Sequence, residues 1–209
     1  MNFKSTINEK IIYNNNLEKD LRTILYTNLN KIIEELKTGN LEYIEKLLIR
    51  VFNNNDINVE VEIQIHEQDG EPRGWWWNNI MHINLFHSDI VNKKLIDEII
   101  VTCLHEYIHR EQDERRVKKN KEKKVNVPEE DEKKFTSHEI MAYANSFVLR
   151  ARNAGLTRRE LFDLVNSGKE VRFDNIFMLY KKYKNKLPPG WYKKFIRYVY
   201  DYIEEIYEI

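Results

Sequence analysis

His105, Glu106 and His109, in the run 101-VTCLHEYIHRE-111, are the residues of this chain whose types and spacing best suit chemistry. A helix turns about 100° per residue, so histidines four apart stand about 40° apart around the axis and one turn apart along it. Both imidazoles can then reach one cation. Glu106, about 60° from His109 around the same side, can touch a water on that cation without binding the ion. Zinc hydrolysis needs this arrangement. Neutral imidazoles and a carboxylate hold the ion, one position stays open, and a second carboxylate takes a proton from the bound water, whose pKa falls to ~7. A chance His-Glu-x-x-His in a chain of this composition is on the order of one or two per cent. The competing reading is two surface histidines on a charged helix.

A third protein ligand has to come from elsewhere. Glu111, Asp113 and Glu114 follow the motif, but ligands so soon after the second histidine would have to fold back sharply. His138 and Glu139, at the start of the next predicted helix, are better placed. Glu139 is preferred, because with Ala142, Tyr143 and Ser146 it makes an i, i+3, i+4, i+7 face. Small Ala142 would let this helix approach the first closely. The alternative role for Glu139 is a first-turn charge that complements the helix dipole. Tyr143, one turn after Glu139, could hydrogen-bond a tetrahedral oxyanion, although helix–helix packing is the commoner role. Cys103 lies two residues before His105, points away from the metal side and reads as a core residue. His82 and His87 read as polar-face residues rather than ligands.

HEYIHREQ followed by EIMAYANSF resembles the zincin-like metallopeptidases encoded by bacteriophages, and more distantly the IrrE/ImmA type. In those families the His-Glu-x-x-His helix is followed by a helix bearing Glu and an Ala-rich segment, the gluzincin arrangement. The resemblance implies His105 and His109 as histidine ligands, Glu106 as general base, Glu139 as carboxylate ligand and Zn²⁺ as the metal. It covers about residues 80–155; the flanking thirds carry no comparable motif.

Elements must position these residues. Leu17, Leu21, Ile24/Leu25, Leu29 and Ile32/Ile33 predict one helix over 17–37, stopped by Thr38-Gly39-Asn40, with a second helix over 41–52. INVEVEIQIH, 57–66, alternates strictly and predicts a half-buried strand. DGEPRG, 69–74, is a turn or loop, and WWWNNIMHINLFH, 75–87, reads as a second strand, strongest at 80–86. Met81, Ile83 and Leu85 would share one face, and His82, Asn84 and Phe86 the other. In zincins the strand before the active helix lies at the cleft edge and pairs with substrate backbone; MHINLF could do this by β-augmentation, or be an ordinary edge strand, and both can hold together. Trp75, Trp76 and Trp77 cannot all face one core, because neighbouring strand residues point to opposite sides. At least one ring should be exposed or packed under a loop, either as a binding rim or as loop packing.

Ser88-Asp89 or Asn92 would cap a helix over 93–115. RRVKKNKEKK, 115–124, carries seven basic residues and one acidic one; with the acidic PEEDEKK after it, this predicts an exposed, self-compensating loop. Helices follow at 136–153, at 158–167 with Thr157 and Glu160 as a capping box, at 174–185 and at 190–208.

The chain has 209 residues, 42% of them apolar and 12% aromatic, enough to bury a core. Six glycines and four prolines argue against a turn-rich all-β design. The 34 basic and 34 acidic residues balance, which gives no global pull toward nucleic acid or an anionic membrane. A single cysteine cannot close an intramolecular disulfide and fits a reducing compartment. No stretch has the ~18 apolar residues of a membrane span, and the N-terminus lacks a signal-peptide h-region.

The expectation is an α+β, zincin-like fold, mainly helical, with a small sheet packed on the His-Glu-x-x-His helix. Residues 1–155 would form the metallopeptidase domain with N-terminal helices, and 156–209 a helical extension packed on it. The function expected is zinc-dependent hydrolysis of peptide bonds in a protein or peptide substrate, in a cytoplasmic protein (host cytoplasm or virion if viral) not secreted by a signal peptide. Neither membrane nor nucleic acid is an expected partner; a virion or host protein is a further one. The alternative is a zincin-fold phage structural or regulatory binding protein with a non-catalytic metal.

Overall fold

The computed structural model describes residues 12–66, 73–77, 79–86, 94–123, 137–168, 170–171 and 173–207, with the side chains of 119–123 and 137–138 outside that description. The Ser88-Asp89 and Asn92 caps, His87 and the PEEDEKK run lie outside the described residues. The chain is mostly helical with a small mixed sheet, an α+β fold. It divides into two compact units, one of residues 14–110 and one that starts at Glu111 and takes in Tyr13.

In the first unit, α1 (Asn15–Thr27) starts where Asn14 Oδ1 accepts from the Leu17 amide at 3.0 Å. α2 (Leu29–Thr38) ends on Gly39, left-handed at φ 75°. α3 (Glu42–Asn54) packs on α1. Leu17, Leu21, Leu25, Ile32, Leu36, Ile44, Leu48 and Phe52 are buried and form the core here. The single helix expected over 17–37 is two helices. Asn28 breaks it: its Nδ2 donates to the Ile24 carbonyl at 2.8 Å and its Oδ1 accepts from Tyr43 OH at 2.9 Å. Such local side-chain bonds compete with the helical ladder.

Three strands are described: β1 (Glu60–His66), β2 (Gly74–Trp77) and β3 (Ile80–Phe86), in the order β1-β3-β2. β1 runs parallel to β3, and β2 antiparallel to it. The strand expected over 75–87 is therefore a hairpin. Trp77 pairs with Ile80, and Asn79 takes a positive φ of 67°, as a tight two-residue turn requires. This hairpin also corrects the expected role of MHINLF. β3 has a neighbour on each side, so it is not an edge; among the described residues β2 is. The Asn84 amide donates to the Arg73 carbonyl at 2.8 Å. With the register Gly74↔Ile83, the backbone groups of Gly74 and Trp76 therefore point away from β3. On β1, Glu45 Oε1 accepts from the Ile63 amide at 2.8 Å.

β1 alternates between buried and exposed residues, whereas on β3 Asn84 and Phe86 of the second face are buried as well. Met81, Ile83 and Leu85 are buried with Val61 and Ile63. Across the other face His82 stacks on Trp75, with ring centroids 4.4 Å apart, and its Nδ1 lies 3.2 Å from Glu62 Oε2. The tryptophans split likewise: Trp77 is 62% exposed and Trp75 36%, while Trp76 occupies the side of Met81.

α4 (Leu95–Lys123) is 29 residues long, about 43 Å. The basic segment expected as a loop from 115 is helical as far as Lys123. Lys, Arg and Glu are good helix formers, and no proline or glycine interrupts them. In the second unit, α5 (Ser137–Asn153) packs on α7 (Asp174–Lys186) and α8 (Pro189–Tyr207), and α6 (Arg158–Ser167) packs on α8. The Thr157–Glu160 capping box is present, with Glu160 Oε2 accepting from the Thr157 amide at 2.7 Å. Phe147 anchors an aromatic core, with Phe195 at 5.8 Å and Tyr183 at 6.2 Å between ring centroids. No helix among the described residues is long and apolar enough to cross a membrane.

Candidate metal centre

α4 presents His105 and His109 one turn apart, and Glu139 lies in the first turn of α5. One ligand atom from each of the three lies within 4.8 Å of the others, so His105, His109 and Glu139 form a group that could hold a metal ion. All three are half-buried. The two Nε2 atoms are 3.2 Å apart, and the rings meet edge to face, with centroids 4.9 Å apart and planes at 69°. Tetrahedral zinc–nitrogen bonds of about 2.0–2.1 Å would set two nitrogens about 3.3 Å apart. The imidazole pair has that spacing, so the donor set fits such an ion.

Glu106 is only 2% exposed. It sits on the unit's buried side, beside the edge strand β2, and is not one of the three converging residues. Cys103 is fully buried, and burial with the nearby Glu106 charge pushes its thiol pKa up, so it stays a protonated core residue.

The other candidate ligands do different things. Asp113 Oδ1 lies 3.6 Å from Arg116, one turn on, and neither it, Glu111 nor Glu114 joins a metal-holding group among the described residues. His82 is engaged with Trp75 and Glu62. The side chain of His138 lies outside the described residues.

On the Glu139 face of α5, Ala142 is completely buried and Ser146 2% exposed, as a closely packed face requires. Gln112 Nε2 of α4 reaches Met141 Sδ of α5 at 3.5 Å. Tyr143 is half-buried, and its ring lies 5.6 Å from that of Tyr183 on α7. Sequence reasoning missed Tyr183. Its phenol pKa is pushed up to about 12, mainly by burial, with Arg150 pulling it down and the Glu139 carboxylate pushing it further up. A tyrosine that senses Glu139 in this way belongs to the surroundings of the candidate ligand. Nothing local could have flagged it, because tertiary packing brings α7 to α5.

Comparison of the chain with protein-family models, curated proteins and solved structures found no match.

Proposed function

We propose that this protein is a zinc-dependent peptidase of the gluzincin type. The observation that carries the reading is the convergence of His105, His109 and Glu139, with the two imidazole nitrogens at the spacing of tetrahedral zinc ligands. Zinc held there would polarise a substrate carbonyl and lower the pKa of a water toward ~7. Glu106 would take the proton of the attacking water and deliver it to the departing amine. A carboxylate is not needed at that position for a structural metal, so Glu106 favours catalysis over a binding role. The outward backbone groups of Gly74 and Trp76 on β2 would pair with an extended peptide. Tyr143 is the candidate oxyanion donor; its contact with Tyr183 also gives it a packing role.

The test is hydrolysis of fluorophore-labelled casein by zinc-loaded protein, wild type beside Glu106→Gln. The reading expects turnover by the wild type and a loss of ~10²–10⁴-fold in the variant, at unchanged zinc content. Zinc-loaded wild type without hydrolysis of casein or of a peptide library would instead support the non-catalytic binding protein.

A further inference from the structure

Gly74 opens β2, directly before the three tryptophans. Its φ is not in the left-handed region, so conformational freedom does not explain a glycine there. Within a strand glycine is weakening, and it often marks a place where another group approaches the backbone closely. An ideal Cβ on Gly74 would lie 2.8 Å from Thr102 Cγ2, 2.9 Å from the His82 carbonyl oxygen and 3.0 Å from Glu106 Oε1. Thr102 and Glu106 are 5% and 2% exposed. Neither side chain can swing into water to make room.

We infer that Gly74 is a positioning residue for Glu106: its missing side chain lets the edge strand lie directly against the Glu106 carboxylate and fixes where that carboxylate points. The inference rests on the reading of Glu106 as general base. Thr102 stands one turn before Glu106, so the backbone at Gly74 presses on two successive turns of one face of α4. The same strand carries the outward Gly74 and Trp76 backbone groups proposed to receive substrate. One residue thus sets both the substrate strand and the base, and their separation is fixed by contact. A Cβ at 74 would press first on Thr102 Cγ2 and the His82 carbonyl oxygen, and the buried Glu106 carboxylate beside them would have to give by a few tenths of an ångström.

The experiment uses Gly74→Ala, Glu106→Gln and the double variant, each loaded with cobalt(II) alone, and follows the visible spectrum against pH. Casein hydrolysis is measured in parallel. The expected result is one cobalt per chain throughout, with the spectral midpoint of Gly74→Ala displaced in the same direction as that of Glu106→Gln. In the Glu106→Gln background, Gly74→Ala should add no further displacement. Hydrolysis by Gly74→Ala should fall in kcat with little change in KM, by less than the ~100-fold that about 1 Å of misplacement costs.

A Gly74→Ala protein with wild-type midpoint and turnover would overturn the inference. Midpoint shifts as expected without hydrolysis by the wild type would uphold the positioning while sinking the peptidase reading. Absence of bound cobalt in the wild type would overturn both. Gly74→Ala/Thr102→Ser removes the methyl nearest the new Cβ and keeps the Glu106 contact. Recovered folding with a displaced midpoint supports positioning of Glu106; a recovered midpoint, or failure of both variants to fold, would make Gly74 a packing residue only.

Discussion

The buried phenol of Tyr183, behind the candidate ligand helix, ties stability to alkaline pH, and titration of Tyr183→Phe beside the wild type tests that tie. The phenol rises from 10.0 in the unfolded chain to about 12 in the fold. A raised folded pKa means that the native state holds this proton more tightly. The contribution is therefore fully present below pH 10 and is lost as pH rises from 10 toward 12. Two units at 1.36 kcal/mol each give about 2.7 kcal/mol as an upper figure, and partial exposure of the ring brings this to about 2 kcal/mol. Urea unfolding at intervals from pH 8 to 11.5 measures it. The wild type should lose stability faster than Tyr183→Phe by roughly 1 kcal/mol per pH unit above pH 10. The other perturbed tyrosines, Tyr26, Tyr192, Tyr200, Tyr202 and Tyr207, remain in both proteins and cancel in the difference. Metal adds a second readout. A cation at Glu139 offsets the carboxylate that raises Tyr183, so zinc should move the tyrosinate absorbance transition of the wild type to lower pH and leave that of Tyr183→Phe in place. Parallel stability profiles for the two proteins would refute the burial of the Tyr183 phenol, and a tyrosinate transition that zinc leaves in place would refute the influence of Glu139 on it.

The aromatic core behind α5 should be costly to open: Phe147→Ala, completely buried, is expected to lose about 3–5 kcal/mol in urea unfolding, and a loss below about 1 kcal/mol would show that Phe147 does not anchor it. Helical structure through the basic segment makes Val117→Pro expensive, about 3 kcal/mol of local helix. Hydrogen exchange should report faster amide exchange around 113–121 in that variant, whereas a loop would show no change. Glu45→Ala takes a charged acceptor from the Ile63 amide and should cost about 1.5–3 kcal/mol; Glu45→Gln, which can still accept, should recover most of it.

Several elements were legible because their signals are local. The strict alternation of 57–66 gave β1, Gly39 gave the end of α2, and Thr157 with Glu160 gave the start of α6. The four-residue spacing of His105 and His109 foretold their meeting, and Glu139, the preferred third ligand, joins them in one group. What was missed depends on context. Asn28 lies in an unbroken apolar period, and only its bonds to Ile24 and Tyr43 turn it into a break. Trp-Asn-Asn-Ile reads as continuous strand until Asn79 adopts a positive φ and folds β2 back beside β3. That fold moved the edge from MHINLF to GWWW. The charge of 115–123 suggested a loop, yet its helix-forming residue types carry α4 on to Lys123. Gly74 and Tyr183 are far in sequence from the groups they touch, so no spacing rule could find them.

The most direct test of the central claim is metal content by mass spectrometry after zinc loading and dialysis, for wild type, Glu139→Ala and Glu106→Gln. The account predicts about one zinc per chain in the wild type, retained in Glu106→Gln and lost in Glu139→Ala. No stoichiometric zinc in the wild type, or full retention in Glu139→Ala, would contradict it and leave His105 and His109 as two neighbouring histidines on a helix.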